Sequence, residues 1–288
     1  MKSKKLELNS DIYCDERKSY RYPPARLIES HIHEAIERIE WGDMVLIQDI
    51  PSREEWTAEK YRRKQSSMRL DAFHTKLLNS EDCDEILHGI LSVQYWGNAA
   101  GRDGRLTGFA LKRARWLVDG KGRDIGGSNR NAPQKREEIV EYFRDARRAL
   151  RDKEIAVALK SVVRIKFLGM AFATKVLAFT DPLQAGVYDK VISEWLISRP
   201  SLAEMGISTG YTTSRRALEA QAETYEKWCH FCQNQAELLN DAKVLWTDWD
   251  EKKYKWRAID IERAHFSLAA KAKPSVKATA QRKPAGVK

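Results

Sequence analysis

The chain has 288 residues, enough for one large domain or two small ones with a real core, and carries 51 basic against 41 acidic side chains, a net charge of +10. No apolar run reaches the length of a membrane span, and residues 1–8 are basic with no apolar segment behind them, so neither a membrane protein nor a secretory signal is expected. Four scattered cysteines, Cys14, Cys83, Cys229 and Cys232, argue against a disulfide framework and predict a cytoplasmic protein in a reducing compartment.

Residues 1–22 are polar and predicted to be irregular. A helix is predicted from Pro23-Pro24, because Leu27, Ile28, Ile32, Ala35, Ile36 and Ile39 recur at helical spacing up to Trp41-Gly42. Residues 44–50 form a short apolar run that fits a strand or a helix. Pro51 and Ser52-x-x-Glu55 read as a capping box for a charged helix that runs, with a break, to Leu78. Asp82-x-x-Glu85 starts the next helix, with Ile86, Leu87, Ile90, Leu91 and Tyr95 on its apolar face.

At the end of that helix stands Gln94-Tyr95-Trp96-Gly97-Asn98. Two aromatic faces and two amides, at Gln94, Tyr95, Trp96 and Asn98, are what a pocket for a flipped base requires, although a helix end packed on a neighbour gives the same pattern. Residues 97–108 form a glycine-rich loop carrying Arg102 and Arg105. A short helix at 109–118 presents Lys112, Arg113 and Arg115 beside Trp116, and a second loop at 120–133 carries Lys121 and Arg123. Neither loop contains a Gly-Lys-Ser/Thr phosphate loop, and neither follows a strand, so neither a P-loop nor a Rossmann fold is expected, while a phosphate grip by Arg102, Arg105, Lys121 and Arg123 stays open beside a merely solvated loop. Between Arg102 and Arg136 there are ten basic residues and three acids; from Lys271 to the end there are six basic residues and no acid. Charge concentrated in this way fits a polyanionic partner, most simply nucleic acid, or loops and a tail that only aid solubility.

Residues 134–151 are a clean amphipathic helix with Ile139, Val140, Phe143 and Leu150 facing inward. Helices follow at 154–166, 191–197, 218–239 and 260–268, and 269–288 is a low-complexity basic tail. No long alternating strand is evident. An all-α fold of about ten helices is predicted. Cys229-His230-Phe231-Cys232 has metal-ligand spacing, but no second pair lies nearby, so no metal and no cofactor are expected.

The segment 161–192 stands apart. Two apolar helical runs flank a tight turn at Leu168-Gly169-Met170-Ala171, and a second turn delivers Val187-Tyr188-Asp189 to the start of another helix. Small residues in such a turn let backbone N–H groups approach a phosphate at the N-terminus of the second helix, where Lys166 and Lys175 add charge. Asp189 lies twenty residues beyond Gly169, in buried-looking sequence. An N-cap role accounts for it without chemistry.

This layout of hairpin, apolar linker, Asp and Val-containing helix resembles the helix-hairpin-helix DNA glycosylase superfamily. The run Phe172-Ala173-Thr174-Lys175-Val176-Leu177 and the ending Ile261-Glu262-Arg263-Ala264-His265-Phe266 are similar to its 8-oxoguanine-glycosylase-like bacterial branch. The likeness is close over 161–192 and extends, with less specific motifs, over 41–266. It implies a two-lobed helical fold spanning 23–268 with an active cleft between the lobes, in a monomer that takes DNA as its partner. It also implies base flipping and cleavage of the N-glycosidic bond, with Asp189 stabilising the cationic sugar and Lys175 as a candidate amine nucleophile. Gly169, Met170 and Ala171 would grip a phosphate, with Lys166, Arg102, Arg105, Lys121 and Arg123 as further DNA contacts. Oxidised purine is the default substrate, and a hypermodified base of phage DNA, removed in defence, is the second. Non-catalytic DNA binding is the rival function. Two departures stand out. The second hairpin glycine is replaced by Ala171, and the lysine of bifunctional relatives matches about Ala173, two residues before Lys175. Two residues rotate a helix by roughly 200°. Either the alignment slips, or Asp189 activates water and Lys175 is not the nucleophile.

Overall fold

A computed structural model describes residues 7–20, 26–29, 38–41, 44–49, 66–99, 107–122, 131–199 and 217–272. Ten helices make up most of these residues: α1 (Ser10–Ser19), α2 (Ser67–Leu78), α3 (Cys83–Ala99), α4 (Thr107–Asp119), α5 (Arg136–Arg151), α6 (Ile155–Val162), α7 (Gly169–Thr180), α8 (Lys190–Ile197), α9 (Leu218–Asp241) and α10 (Ala258–Ala272). The expected helical class is therefore present.

Two expectations are corrected. Residues 10–19, read as irregular, form α1, capped by the Asn9 side chain, which accepts from the Asp11 amide at 2.9 Å. Its inward face is charged: Arg17 is 1% exposed and donates to Asp260 at 2.9 Å and to Ser67 at 2.6 Å. A helix docked through an arginine has no apolar stripe to betray it. The second correction concerns 26–49, where a helix was expected up to Trp41. The chain forms β1 (Arg26–Glu29), β2 (Arg38–Trp41) and β3 (Met44–Asp49), an antiparallel sheet of order β1-β3-β2. Arg26 pairs with Asp49, and Trp41 with Met44. Short apolar runs fit both periods, and Gly42-Asp43 between two pairing residues is a hairpin signal that the helical count overrode. The predicted capping box at Ser52 lies outside the described residues; of the tail predicted at 269–288, residues 269–272 instead continue α10 and 273–288 lie outside the described residues.

α7 is the centre of the core. It packs on α2, α3, α5 and α6, with Ala173, Val176, Leu177, Ala178 and Phe179 buried. α1 and α9 both pack on α10, and α8 also reaches it. A buried charge network locks this side. Asp71 of α2 accepts from Arg263 at 2.7 and 2.9 Å and from Arg257 at 2.6 Å, and Arg257 also donates to Asp260 at 2.7 Å. Burial alone would raise the Asp71 carboxyl, but the Arg263 and Arg257 guanidiniums hold it well below the usual carboxylate range.

Candidate active site

The α6–α7 hairpin forms as the sequence suggests. α6 ends at Val162, and the amides of Arg164, Ile165 and Leu168 bond back to Ser161, Val162 and Ile165. α7 opens at Gly169 with no side-chain cap. Gly169 has φ +67°, and a Cβ there would meet nothing within 4 Å, so glycine is favoured for its backbone conformation. The first-turn amides of a helix lack intrahelical acceptors, and Gly169 at the start of this one is exposed, an arrangement suited to an anion. Lys166 is less available than expected: its ammonium donates to the Ala132 carbonyl at 3.2 Å and its amide to Gln134 Oε1 at 3.0 Å.

Asp189 and Lys175 are brought together. Asp189 is the N-cap of α8, and its Oδ1 accepts from the amides of Val191 at 2.9 Å and Ile192 at 3.1 Å. Oδ2 points the other way and meets Lys175 Nζ at 3.5 Å. Both side chains are mostly covered, 12% exposed for Lys175 and 17% for Asp189. Capping and pairing thus use different oxygens of one carboxylate. The register question has a geometric answer: Ala173 is buried in the core, and Lys175 is the residue that reaches Asp189.

Several elements hold this pair in place. The buried Thr174 hydroxyl accepts from the Tyr188 amide at 3.1 Å and lies 3.2 Å from the Tyr188 carbonyl, tying α7 to the residue before Asp189. Trp228 Nε1 donates to the Val187 carbonyl at 3.0 Å, and Gln233 Nε2 to that of Gln184 at 2.7 Å, so α9 grips the linker. The Lys175 ammonium also lies 5.4 Å from the centre of the Phe172 ring. On α3, Gly97 leaves room for both: a Cβ there would stand 2.6 Å from Phe172 Cε1 and 3.1 Å from Lys175 Cδ.

Glu262 of α10 is a part of this neighbourhood that the sequence reading did not single out as a site residue. It is buried, and burial pushes its carboxyl up to about 8; Arg263 opposes this, nearby Asp189 adds to it and Lys175 opposes it. In the sequence it stands in the ending 261–266 that resembles the glycosylase branch, where nothing sets it apart from Asp260 and Arg263 beside it.

Other expected site residues fall elsewhere. The residues proposed for a base pocket, Gln94, Tyr95, Trp96 and Asn98, lie in the last turns of α3, which continues to Ala99. Tyr95 and Trp96 are 0% and 3% exposed, and Trp96 packs edge-on against Phe179, so neither ring offers a free face. Gln94 is buried and donates to the Phe167 carbonyl at 3.4 Å; Asn98 donates to the Gln94 carbonyl at 2.7 Å. Lys121 is exposed beside Trp116, its ammonium 5.2 Å from the ring centre. Arg102, Arg105 and Arg123 lie outside the described residues.

Cys229 and Cys232 are buried on α9, and burial pushes the Cys229 thiol up to about 12, away from the thiolate a metal needs. Among the described residues, no three His, Cys, Asp or Glu side chains gather as a metal site. No helix among them is long and apolar enough to cross a membrane.

No curated protein and no solved structure matches the chain. One family does match, over residues 46–266, which includes the hairpin, Lys175, Asp189 and Glu262; its description is "Putative 8-oxoguanine DNA glycosylase OGG-like protein". With most of its length matched, the chain belongs to this OGG-like glycosylase family.

Proposed function

We propose that the protein excises a damaged or modified base from DNA, with Lys175 and Asp189 as its catalytic residues. The observation that carries this reading is the 3.5 Å contact between Lys175 Nζ and Asp189 Oδ2, set beside an uncapped helix N-terminus. Cleaving an N-glycosidic bond leaves positive charge on the sugar, which a partly buried carboxylate stabilises more strongly than water does. Asp189 has one oxygen committed to the α8 amides and the other directed at Lys175. That second oxygen takes a proton from the ammonium. The freed amine then bonds to the anomeric carbon as the carbon–nitrogen bond to the base breaks, and the departing base takes up the proton from Asp189, which restores the carboxylate beside the sugar. The sugar is left attached to Lys175 and opens to a Schiff base.

The amides at the start of α7 hold a phosphate of the same strand, placing the sugar next to the pair. The family description directs the first test to an oxidised purine. Duplexes containing 8-oxoguanine, and phage DNA with hypermodified cytosines, are incubated with the protein, and released bases are identified by mass spectrometry. Borohydride traps the Schiff base. Base release by the wild type, with trapping lost in Lys175→Gln and release lost in Asp189→Asn, is the expected pattern. DNA binding with no base released from any substrate would leave a non-catalytic DNA-binding protein, and release by Asp189→Asn at the wild-type rate would remove Asp189 from the chemistry.

A further inference from the structure

A cluster of cations on α4 is not used by the chemistry above. Arg113 and Trp116 lie three residues apart on one helical face, and the Arg113 guanidinium sits 4.1 Å from the centre of the indole. Lys121, just past the helix, brings its ammonium to 5.2 Å from the same ring. Arg113 is half-buried with its Nε hydrogen unpaired. Burial disfavours its charge, and among the described residues no carboxylate pairs with it. The one acid of α4, Asp119, is exposed and makes no ion pair with these cations. A guanidinium kept partly dry with no carboxylate beside it among the described residues is suited to an anion.

This cluster adjoins the hairpin. The Trp116 ring lies 6.2 Å, centre to centre, from that of Phe167, which directly precedes Leu168-Gly169. Behind Phe167, its carbonyl takes the Gln94 amide, whose own Oε1 is buried and unpaired. The segment 131–134 joins the two sides: the Lys121 amide donates to the Asn131 carbonyl at 2.8 Å, while Lys166 reaches Ala132 and Gln134. Gly120, with φ +75°, permits this approach, since a Cβ there would stand 2.2 Å from the Asn131 carbonyl oxygen. The backbone that carries Lys121 is therefore tied to the hairpin.

We propose that Arg113, Trp116 and Lys121 form a second DNA-backbone contact, in which the guanidinium and the ammonium bind a phosphate next to the one held at the start of α7. Trp116 is the positioning residue: its ring orients the guanidinium through a cation–π contact. The inference rests on the reading that DNA is the partner, and goes beyond it by assigning the contact to α4.

Binding of duplex DNA by the full chain in the Asp189→Asn background is measured against salt concentration, which separates binding from chemistry. Each cation lost from a phosphate contact lowers the slope of log K on log salt by roughly 0.9. Arg113→Gln and Lys121→Gln are each expected to lower it by about that amount, and Arg113→Lys, which keeps the charge, to restore most of it. Lys227→Gln, the loss of an exposed cation on α9, leaves the slope unchanged. Circular dichroism confirms that each variant is folded. An unchanged slope in Arg113→Gln with normal DNA binding by the parent overturns the α4 contact alone. No salt-dependent binding by the parent overturns it together with the proposed function.

Discussion

Gly97 of α3 and Lys175 of α7 approach so closely that a Cβ on Gly97 would stand 3.1 Å from Lys175 Cδ and 2.6 Å from Phe172 Cε1. Lys175 reaches Asp189 because this glycine leaves its stem a channel. In Gly97→Ala the Phe172 ring must turn and the Lys175 stem must shift. Phe172 is partly covered and Lys175 keeps 12% of its side chain exposed, so both can shift without opening the core. Removing a glycine from a helix recovers about 1 kcal/mol, which offsets a similar packing cost. The melting temperature is expected to stay within a few degrees of wild type, while borohydride trapping of Lys175 falls at least tenfold. Equal trapping in the variant would show that Gly97 does not position the lysine.

The two functions of Asp189 can be separated by two substitutions. Asparagine is as good an N-cap as aspartate, whereas alanine at a cap costs about 1 kcal/mol. Asp189→Asn keeps an acceptor for the Val191 and Ile192 amides but loses the charge opposite Lys175. It is expected to melt near wild type and to release no base. Asp189→Ala is expected to release none and to melt several degrees lower. If Asp189→Ala retained base release, the residue would be a cap and nothing more.

How far this site could be read from sequence depended on where its partners lie along the chain. Gly169 and Asp189 share one short segment, and turn chemistry with an acid after apolar residues was enough to single them out. Lys175 is legible as a candidate, but the resemblance places the lysine of bifunctional relatives at about Ala173, two residues earlier, and only the packing of α7 brings Lys175 to Asp189. Gly97 and Glu262 come from α3 and α10, far away in sequence, and no local pattern links them to the pair. Tyr95 and Trp96 failed for the opposite reason. Aromatic residues near a helix end look the same whether they face a cleft or the core, and burial decides.

Glu262 gives stability a pH dependence of predictable sign. Its carboxyl is pushed up to about 8, mainly by burial, from an ordinary value of 4.5. Between these values the folded chain holds a proton that the unfolded chain has released, so stability falls as pH rises through this window. The effect is of the order of a few kcal/mol. On the acid side, burial pushes His74 down to about 4 and His265 down to about 3, so stability also falls as pH drops below the ordinary histidine value of 6.5. Urea unfolding from pH 5 to pH 9 is expected to show a maximum near pH 6 in wild type. Glu262→Gln removes the alkaline decline and leaves the acid one. A decline of equal size in the variant would place its origin in another group.

Asp71 lies between two cations contributed by the far end of the chain. It accepts from Arg257 and Arg263, 186 and 192 residues away, and so fastens α2 to α10. Asp71→Ala would leave Arg263, 1% exposed, without the carboxylate that takes two of its hydrogen bonds. Asp260 would then be the carboxylate in ion-pair contact with all of Arg17, Arg257 and Arg263. Breaking a buried pair on one side costs about 3–5 kcal/mol, because the remaining charge stays out of water. Removing Arg263 as well relieves that charge, so the double variant Asp71→Ala/Arg263→Met is expected to be more stable than Asp71→Ala. Thermal unfolding of Asp71→Ala, Arg263→Met and the double variant decides the matter: additive losses would mean that the pair is not coupled and that α2 is held to α10 by its apolar contacts instead.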